Sequence, residues 1–293
     1  MSITRRSFLQ VSGLASAAFI TVPVFSCAAA EETNNKKKFK IGICDWDLHA
    51  MGNPESFAAA KELGFGGVQV SYQPEGQYSL SKKENRSLFL EKSKESGIEI
   101  ASLAMGILNS KPLATLPETV VWVEDCIDAM ADMNVQQVLL AFFGDGDMKK
   151  NPEQQKAVIE KLKYLAPKAA AKNKILAVES YLNAEEHLKL LEAVGSDAVK
   201  VYYDEQNMLT MNYPIYEDLE LLLKEKVISQ IHFKEYGAVL EQGKVDFNKV
   251  KALLEKYGYY DWVVAESSVN KEKGSDWKES QRANAAYMKK LLL

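Results

Sequence analysis

The sequence predicts an α/β chain: a single (β/α)8 TIM barrel behind an N-terminal signal segment. Three observations predict it. Phe39 to the end is 255 residues, close to the roughly 250 typical of one such barrel. Short apolar runs alternate with helical patterns along that stretch, the signature of a parallel sheet. Finally, Glu179, Asp204, His232 and Glu266 each close one of the last four apolar runs. Side chains at the carboxyl ends of successive parallel strands converge at the mouth of a barrel.

Residues 1–30 read as a targeting segment and stand outside the fold. Thr4-Arg5-Arg6-Ser7-Phe8-Leu9-Gln10 resembles a twin-arginine export signal. The run from Val11 to Phe25 is too short and too rich in small residues for a permanent membrane span. Val24-Phe25-Ser26-Cys27 resembles a lipobox in which Cys27 is lipidated, with Phe25 an imperfect fit; cleavage after Ala28-Ala29-Ala30 is the other outcome. Residues 31–38 hold no apolar residue and form a polar linker. The expected location is therefore the cell envelope, periplasmic or lipid-anchored, with membrane contact only through that anchor.

The barrel then builds in order over residues 39–293. The first strand run is Phe39–Cys44, and Asn53-Pro54-Glu55 opens a helix with Phe57, Ala60 and Leu63 on one face, ended by Gly64. Gly67–Ser71 and Ile98–Leu103 follow, and Pro117 opens a helix through Val121, Ile127 and Met130. Val138–Phe142 leads to Asn151-Pro152-Glu153, a cap and proline before Val158, Ile159, Leu162 and Leu165. Ile175–Glu179 precedes a helix from Asn183 through Leu188, Leu191 and Val194 to Gly195. Val199–Asp204 and Ile228–His232 come next. Asp246 caps a helix carrying Val250, Leu253 and Leu254 to Gly258, and Trp262–Glu266 closes the barrel. Such short, β-branched runs suit strands buried on both faces.

Composition narrows the function. With 47% hydrophobic residues the chain can bury a large core, and a net charge of −4 gives no pull toward nucleic acid. Beyond Cys27 only Cys44 and Cys126 remain, too few for a disulfide framework and read as buried thiols.

The ligand spacings are 25, 28 and 34 residues, each about one strand, one helix and two loops. Three carboxylates and one imidazole form a hard, oxygen-rich set, suited to Mn²⁺ or Mg²⁺ better than to a thiolate-bound metal. Singly, each residue has a plainer role: Glu179 or Asp204 as a helix cap, His232 as a satisfied core histidine, Glu266 as a lysine's partner. At matching ends of consecutive strands they read together as a metal site.

Several segments resemble a known family: Gly42-Ile43-Cys44-Asp45-Trp46, the run from Ala59 to Val70, Leu176-Ala177-Val178-Glu179, His232-Phe233-Lys234-Glu235, Gly243-Lys244-Val245-Asp246-Phe247 and the run from Tyr259 to Glu266. They resemble the xylose-isomerase-like sugar phosphate isomerase/epimerase superfamily, and within it the ketose 3-epimerases. That resemblance implies one divalent ion, Mn²⁺ first with Mg²⁺, Co²⁺ or Zn²⁺ as alternatives, held by Glu179, Asp204, His232 and Glu266. It also implies that Glu179 and Glu266 are catalytic and handle protons on opposite faces of the substrate carbon, and that Glu185 is a further substrate-binding acid. The chain departs from the epimerase pattern at Asn207 and Gln230, where that family carries substrate-contacting histidines. Trp46 is expected to wall the sugar site or to cap the core. Lys234 points the same way as His232 by strand alternation and is expected to reach substrate oxygens or a phosphate, unless solvated. His49, in the first βα loop, is a replacement pocket histidine, and His187 is expected at the surface.

The implied function is a metal-dependent sugar isomerase/epimerase. It removes a proton next to a carbonyl and passes through an enediolate held by the metal. A 3-keto-glycoside lyase or hydrolase using the same enolate chemistry is the first alternative, and a non-catalytic sugar-binding envelope protein the second. Three-zinc DNA-repair endonucleases of the same superfamily need more histidines than His49, His187 and His232. Two-metal xylose isomerases fit poorly for a similar reason. The expected partner is a small carbohydrate, with no nucleic acid and with homo-oligomerisation left open.

Overall fold

The computed structural model describes residues 38–267 and 277–293; the expected signal segment, the lipobox with Cys27 and all but the last linker residue lie outside them. Eight parallel strands close into a barrel in chain order: β1 Lys40–Cys44, β2 Gly67–Ser71, β3 Glu99–Met105, β4 Gln137–Phe142, β5 Ile175–Ser180, β6 Val199–Asp204, β7 Ile228–Phe233 and β8 Trp262–Ala265. Closure is made by β1 on β8, with Lys40 opposite Trp262 and Ile43 opposite Ala265. Each strand falls within two residues of its expected ends. The one difference that matters is at β8, which stops at Ala265 and leaves Glu266 just beyond it.

Helices α1 Ser56–Leu63, α2 Lys83–Ser96, α3 Glu118–Asp132, α4 Pro152–Ala171, α5 Ala184–Val194, α6 Glu205–Thr210, α7 Ile215–Lys224, α8 Phe247–Lys256 and α9 Trp277–Leu292 surround the barrel. The start signals act as their chemistry requires. Asn151 accepts from the Gln154 amide ahead of α4. Asn183 and Glu186 form a reciprocal capping box on α5, and Asp246 accepts from Asn248 and Lys249 at α8. At α1 the Asn53 side chain accepts from Glu55 N instead (3.0 Å), so the helix begins later, at Ser56. Helix α2 has little apolar stripe; it is tied down by buried Arg86, which donates to Leu80 O (2.6 Å), Asp132 (2.7 Å) and Asp125 (2.9 Å).

The main apolar core lies between sheet and helices. Inside the barrel the packing is layered. At the bottom Trp262 plugs the lumen with Cys44, Ala101 and Val264. A Cβ on Gly67 would stand 2.3 Å from that indole ring, so only glycine fits there. The next layer is polar: Gln69, Ser102 and Gln230 are all fully buried. Two register shifts accompany it. Val68 and Gln69 of β2 pair with Ile100 and Ser102 of β3, skipping Ala101. Val201 and Tyr202 of β6 pair with Ile228 and Gln230 of β7, skipping Ser229. Bulges of this kind re-aim side chains near functional sites. Cys44 and Cys126 are both buried and unpaired.

Candidate functional site

Above the polar layer, Glu179 of β5, Asp204 of β6, His232 of β7 and Glu266 beyond β8 each offer one ligand atom, and those atoms lie within 4.8 Å of one another. His232 Nδ1 stands 3.1 Å from Glu179 Oε1, 3.1 Å from Glu266 Oε2 and 3.7 Å from Asp204 Oδ2. Pairing of Asp204 with His232 across β6 and β7 brings two of the four side by side. On its other edge, His232 Nε2 is 2.9 Å from Gln69 Oε1 and 3.5 Å from Cys44 Sγ.

Electrostatics shape the cluster. Burial pushes Glu179 up to about 7, partly offset by His232 and reinforced by Glu266 and Asp204. Burial also acts upward on Glu266, but the Lys234 ammonium and His232 outweigh it and hold that carboxyl well below the usual range. Burial disfavours the imidazolium of His232, yet neighbouring anions, Glu266 and Glu179 among them, raise its pKa well above the ordinary value. Lys234 Nζ reaches Glu266 Oε2 (2.9 Å), Asp204 Oδ2 (3.4 Å) and Asn207 Oδ1 (3.3 Å). Asn207 also donates to Glu179 Oε1 at 3.3 Å and accepts from Tyr236 OH at 3.0 Å.

This donor set fits a divalent cation on two grounds. Asp204 Oδ2 is buried and accepts no hydrogen bond among the described residues; its ammonium neighbour, Lys234 Nζ at 3.4 Å, is bonded to Glu266, so a lone pair facing the other ligands is left for a metal cation to take. In addition, once the imidazole is neutral, as a metal ligand must be, three carboxylates against one ammonium leave two negative charges, the charge that a divalent ion balances. Oxygen donors with one imidazole suit Mn²⁺ or Mg²⁺.

Glu179 and Glu266 of the cluster line a cavity of about 500 Å³, walled by Trp46, Phe143, Tyr181 and Tyr236 and edged by Asn109 and Asn207. Phe143 and Tyr181 pack edge to face, centroids 4.7 Å apart, and Phe143 N donates to Asn109 Oδ1. A second cavity of about 360 Å³ adjoins it, sharing Trp46, Lys234, Tyr236 and Glu266 and extending to Asp47, His49 and Trp277. Aromatic walls with a few convergent polar groups at the carboxyl face of a barrel are the usual make-up of a small-molecule site.

The model of the family described as xylose isomerase-like TIM barrel matches residues 57–291. The chain belongs to that family. No curated protein matches the sequence. Among solved structures, D-psicose 3-epimerase from Clostridium cellulolyticum H10, in complex with D-tagatose, is similar at TM-score 0.71 and 15% identity, over 87% of this chain and 99% of that one. The 3-keto-D-glucoside 4-epimerase YcjR from E. coli is similar at TM-score 0.69 and 16% identity, over 86% and 100%. A xylose isomerase-like TIM barrel protein from Mycobacterium smegmatis, in complex with magnesium, is similar at 0.67 and 15%, over 86% and 96%. At these identities the likeness is one of fold.

Within this xylose isomerase-like barrel the expected site residues divide by height. Glu179, Glu266, Asn207, Lys234 and Trp46 line the main cavity, and Asp204 and His232 join the two glutamates in the buried cluster without lining it. Gln230 does not: it lies one layer deeper, bonded to Ser102, Tyr202 and Ala101 O, because two residues back along an inward-facing strand is one step down the lumen. Glu185 is exposed in the first turn of α5 and lines neither cavity. His49 is exposed at a left-handed turn (φ 54°), its ring against Trp277, and borders only the second cavity. His187 is buried rather than at the surface. It bonds Ser180 Oγ and Asn183 O (3.1 Å each), and burial pushes it down to about 4. Sequence reading missed Asn109, Phe143, Tyr181 and Tyr236, which sit on loops or just past strand ends. It also missed Gln69, whose signal was a glutamine inside an apolar five-residue strand.

Proposed function

We propose that the protein is a divalent-metal-dependent isomerase/epimerase of small unphosphorylated sugars, with Mn²⁺ the first choice of ion and Mg²⁺, Co²⁺ or Zn²⁺ as alternatives. The observation that carries this reading is the convergence of Glu179 and Glu266 on one buried cluster with Asp204 and His232. A bound divalent ion supplies Lewis acidity that makes the C–H beside a carbonyl acidic. Glu266, kept ionised by Lys234 and His232, and Glu179, whose own proton a bound cation would displace, are then two carboxylates able to take and return that proton. A proton returned to the same carbon from the other side inverts it, and one returned to its neighbour isomerises the sugar. The Lys234 ammonium faces the same space and offsets negative charge as it grows on a substrate oxygen. Lys234 is the only cationic residue on the wall of the main cavity among the described residues, and Glu266 already engages it. That leaves no free charge for a phosphate among the described residues of that wall.

A 3-keto-glycoside substrate is the second reading, favoured by the adjoining cavity with Trp46 and Trp277, which offers room beside the cluster for an aglycone. Export through the twin-arginine-like segment, with or without lipid on Cys27, belongs to the same proposal and agrees with unphosphorylated envelope saccharides.

The test is solvent-deuterium incorporation into ketoses and 3-keto-glycosides by Mn²⁺-loaded protein, with Glu179→Gln and Glu266→Gln as controls. Exchange into a ketose, lowered about 100-fold or more in both variants, supports the epimerase. Release of an aglycone supports the second reading. Tight binding without exchange in any sugar would leave a binding protein.

A further inference from the structure

We propose that Gln69 is the positioning residue that keeps a proton on His232 Nε2, so that Nδ1, which faces the carboxylates of Glu179 and Glu266 at 3.1 Å, is the nitrogen that gives up its proton and its lone pair to a cation. This rests on the metal-centre reading above, and its physical basis is a one-way run of hydrogen bonds that begins at a backbone carbonyl.

Ala101 O can only accept. Gln230 Nε2 lies 3.3 Å from it, so the Gln230 amide points its NH₂ at the bulge of β3 and its oxygen at Ser102 and Tyr202. Ser102 Oγ and Tyr202 OH stand 2.6 and 3.0 Å from that oxygen. The oxygen carries no proton, so each hydroxyl donates its single one there. Both hydroxyls are then left as acceptors, and they face the Gln69 amide at 2.8 and 3.1 Å. That edge of Gln69 must be its NH₂. Its Oε1 therefore turns to His232 Nε2 at 2.9 Å and to Cys44 Sγ at 3.4 Å. An amide oxygen donates nothing, so Nε2 is the donor.

The reverse assignment fails at its origin. Flipping Gln69 would point its oxygen at two hydroxyls whose protons are committed to Gln230. Releasing them would require flipping Gln230 as well, which sets its oxygen against the Ala101 carbonyl oxygen. Amide orientation and imidazole tautomer, ordinarily assigned rather than observed, are here dictated by connectivity. The two bulges make it possible: they bring Gln69 level with Ser102 and Tyr202 level with Gln230.

The first measurement is ¹⁵N NMR of histidine-labelled wild type loaded with Zn²⁺, with His232 assigned by its loss in His232→Gln. The expected spectrum has a protonated, slowly exchanging Nε2 and an unprotonated, coordinated Nδ1. The second is Mn²⁺ titration followed by electron paramagnetic resonance. Gln69→Met, similar in size but without the acceptor, is expected to weaken Mn²⁺ binding about 10- to 100-fold. Gln69→Glu, which keeps an oxygen facing Nε2, is expected to recover most of that loss. A proton on Nδ1 in the loaded wild type, or unchanged Mn²⁺ affinity in Gln69→Met, overturns the assignment. If Gln69→Met does not fold, the wild-type spectrum still decides. If the wild type takes up no cation, the metal reading fails by itself. A protected Nε2 proton in the metal-free protein would still support Gln69, and its absence would refute it.

Discussion

Asp204 does two things with one carboxylate. Oδ1 accepts from Asn207 N at 2.7 Å and caps α6, while Oδ2 stays free of hydrogen bonds and faces the cluster. The helix-cap role weighed for this residue and the ligand role are therefore compatible. The cap also delivers Asn207 to Glu179 and Lys234. Two outcomes are predicted at this scale. Glu179, raised to about 7 from an ordinary 4.5, holds a proton in the folded metal-free protein where the unfolded chain has already lost it. Across that window its contribution to the stability of the metal-free fold falls as pH rises. A cation must displace this proton as well as one from the His232 imidazolium, so Mn²⁺ affinity should climb by more than about tenfold per pH unit as pH rises toward about 7, and less steeply above it. Calorimetric titration at several pH values checks it, and a flat profile would count against Glu179 as a ligand. Lys234→Met should cut deuterium exchange by about 100-fold or more without weakening Mn²⁺ binding, because the substitution removes a competing cation. Weaker Mn²⁺ binding in this variant would instead make Lys234 structural. Four ligands were legible in the chain because each ends an apolar run. Gln69 was not, since where its side chain points depends on a register shift that no local pattern records.

Among elements, the strands were legible almost to their ends. A buried parallel strand must be apolar on both faces, and these runs are. Helix α2 was not legible in the same way, because it is anchored through Arg86 and two aspartates on α3 rather than through a stripe of leucines. His187 misled for a related reason. Its partners, Ser180 and Asn183 O, are close in sequence, but α5 folds back over the end of β5 and buries the imidazole between them. The prediction that belongs here concerns β2. Gly67→Ala places a methyl against the Trp262 ring at the base of the lumen and should destabilise the fold by about 1–3 kcal/mol. Trp262→Leu in the same chain should return part of the loss, as urea melts of the single and double variants can show. Equal and additive losses would mean that the two side chains do not meet.

For the molecule as a whole, the cluster concentrates uncompensated charge where the barrel is otherwise closed and dry, so occupancy and stability must be linked. Mn²⁺ at about 100 times its dissociation constant should stabilise the fold by about 2.7 kcal/mol. Thermal melts with added Mn²⁺ and after chelation read this directly; coincident melts would mean that the ion does not bind the folded state in preference. The same linkage would bear on the proposed export, because a protein carried across a membrane already folded would keep an ion acquired before transit.

The layering of the lumen has a consequence for how such a protein diversifies. The hydrogen bonds that set the imidazole run below the cluster, between strand residues locked by neighbouring strands, and none passes through a loop. The aromatic walls stand above it, at strand ends and in the loops. The two halves are thus mechanically separable. Replacing the rim residues Asn109, Phe143 and Tyr181 can change which molecule is admitted while the cluster of carboxylates and imidazole is left intact. The interior is a chassis, and the rim is the part that can be exchanged.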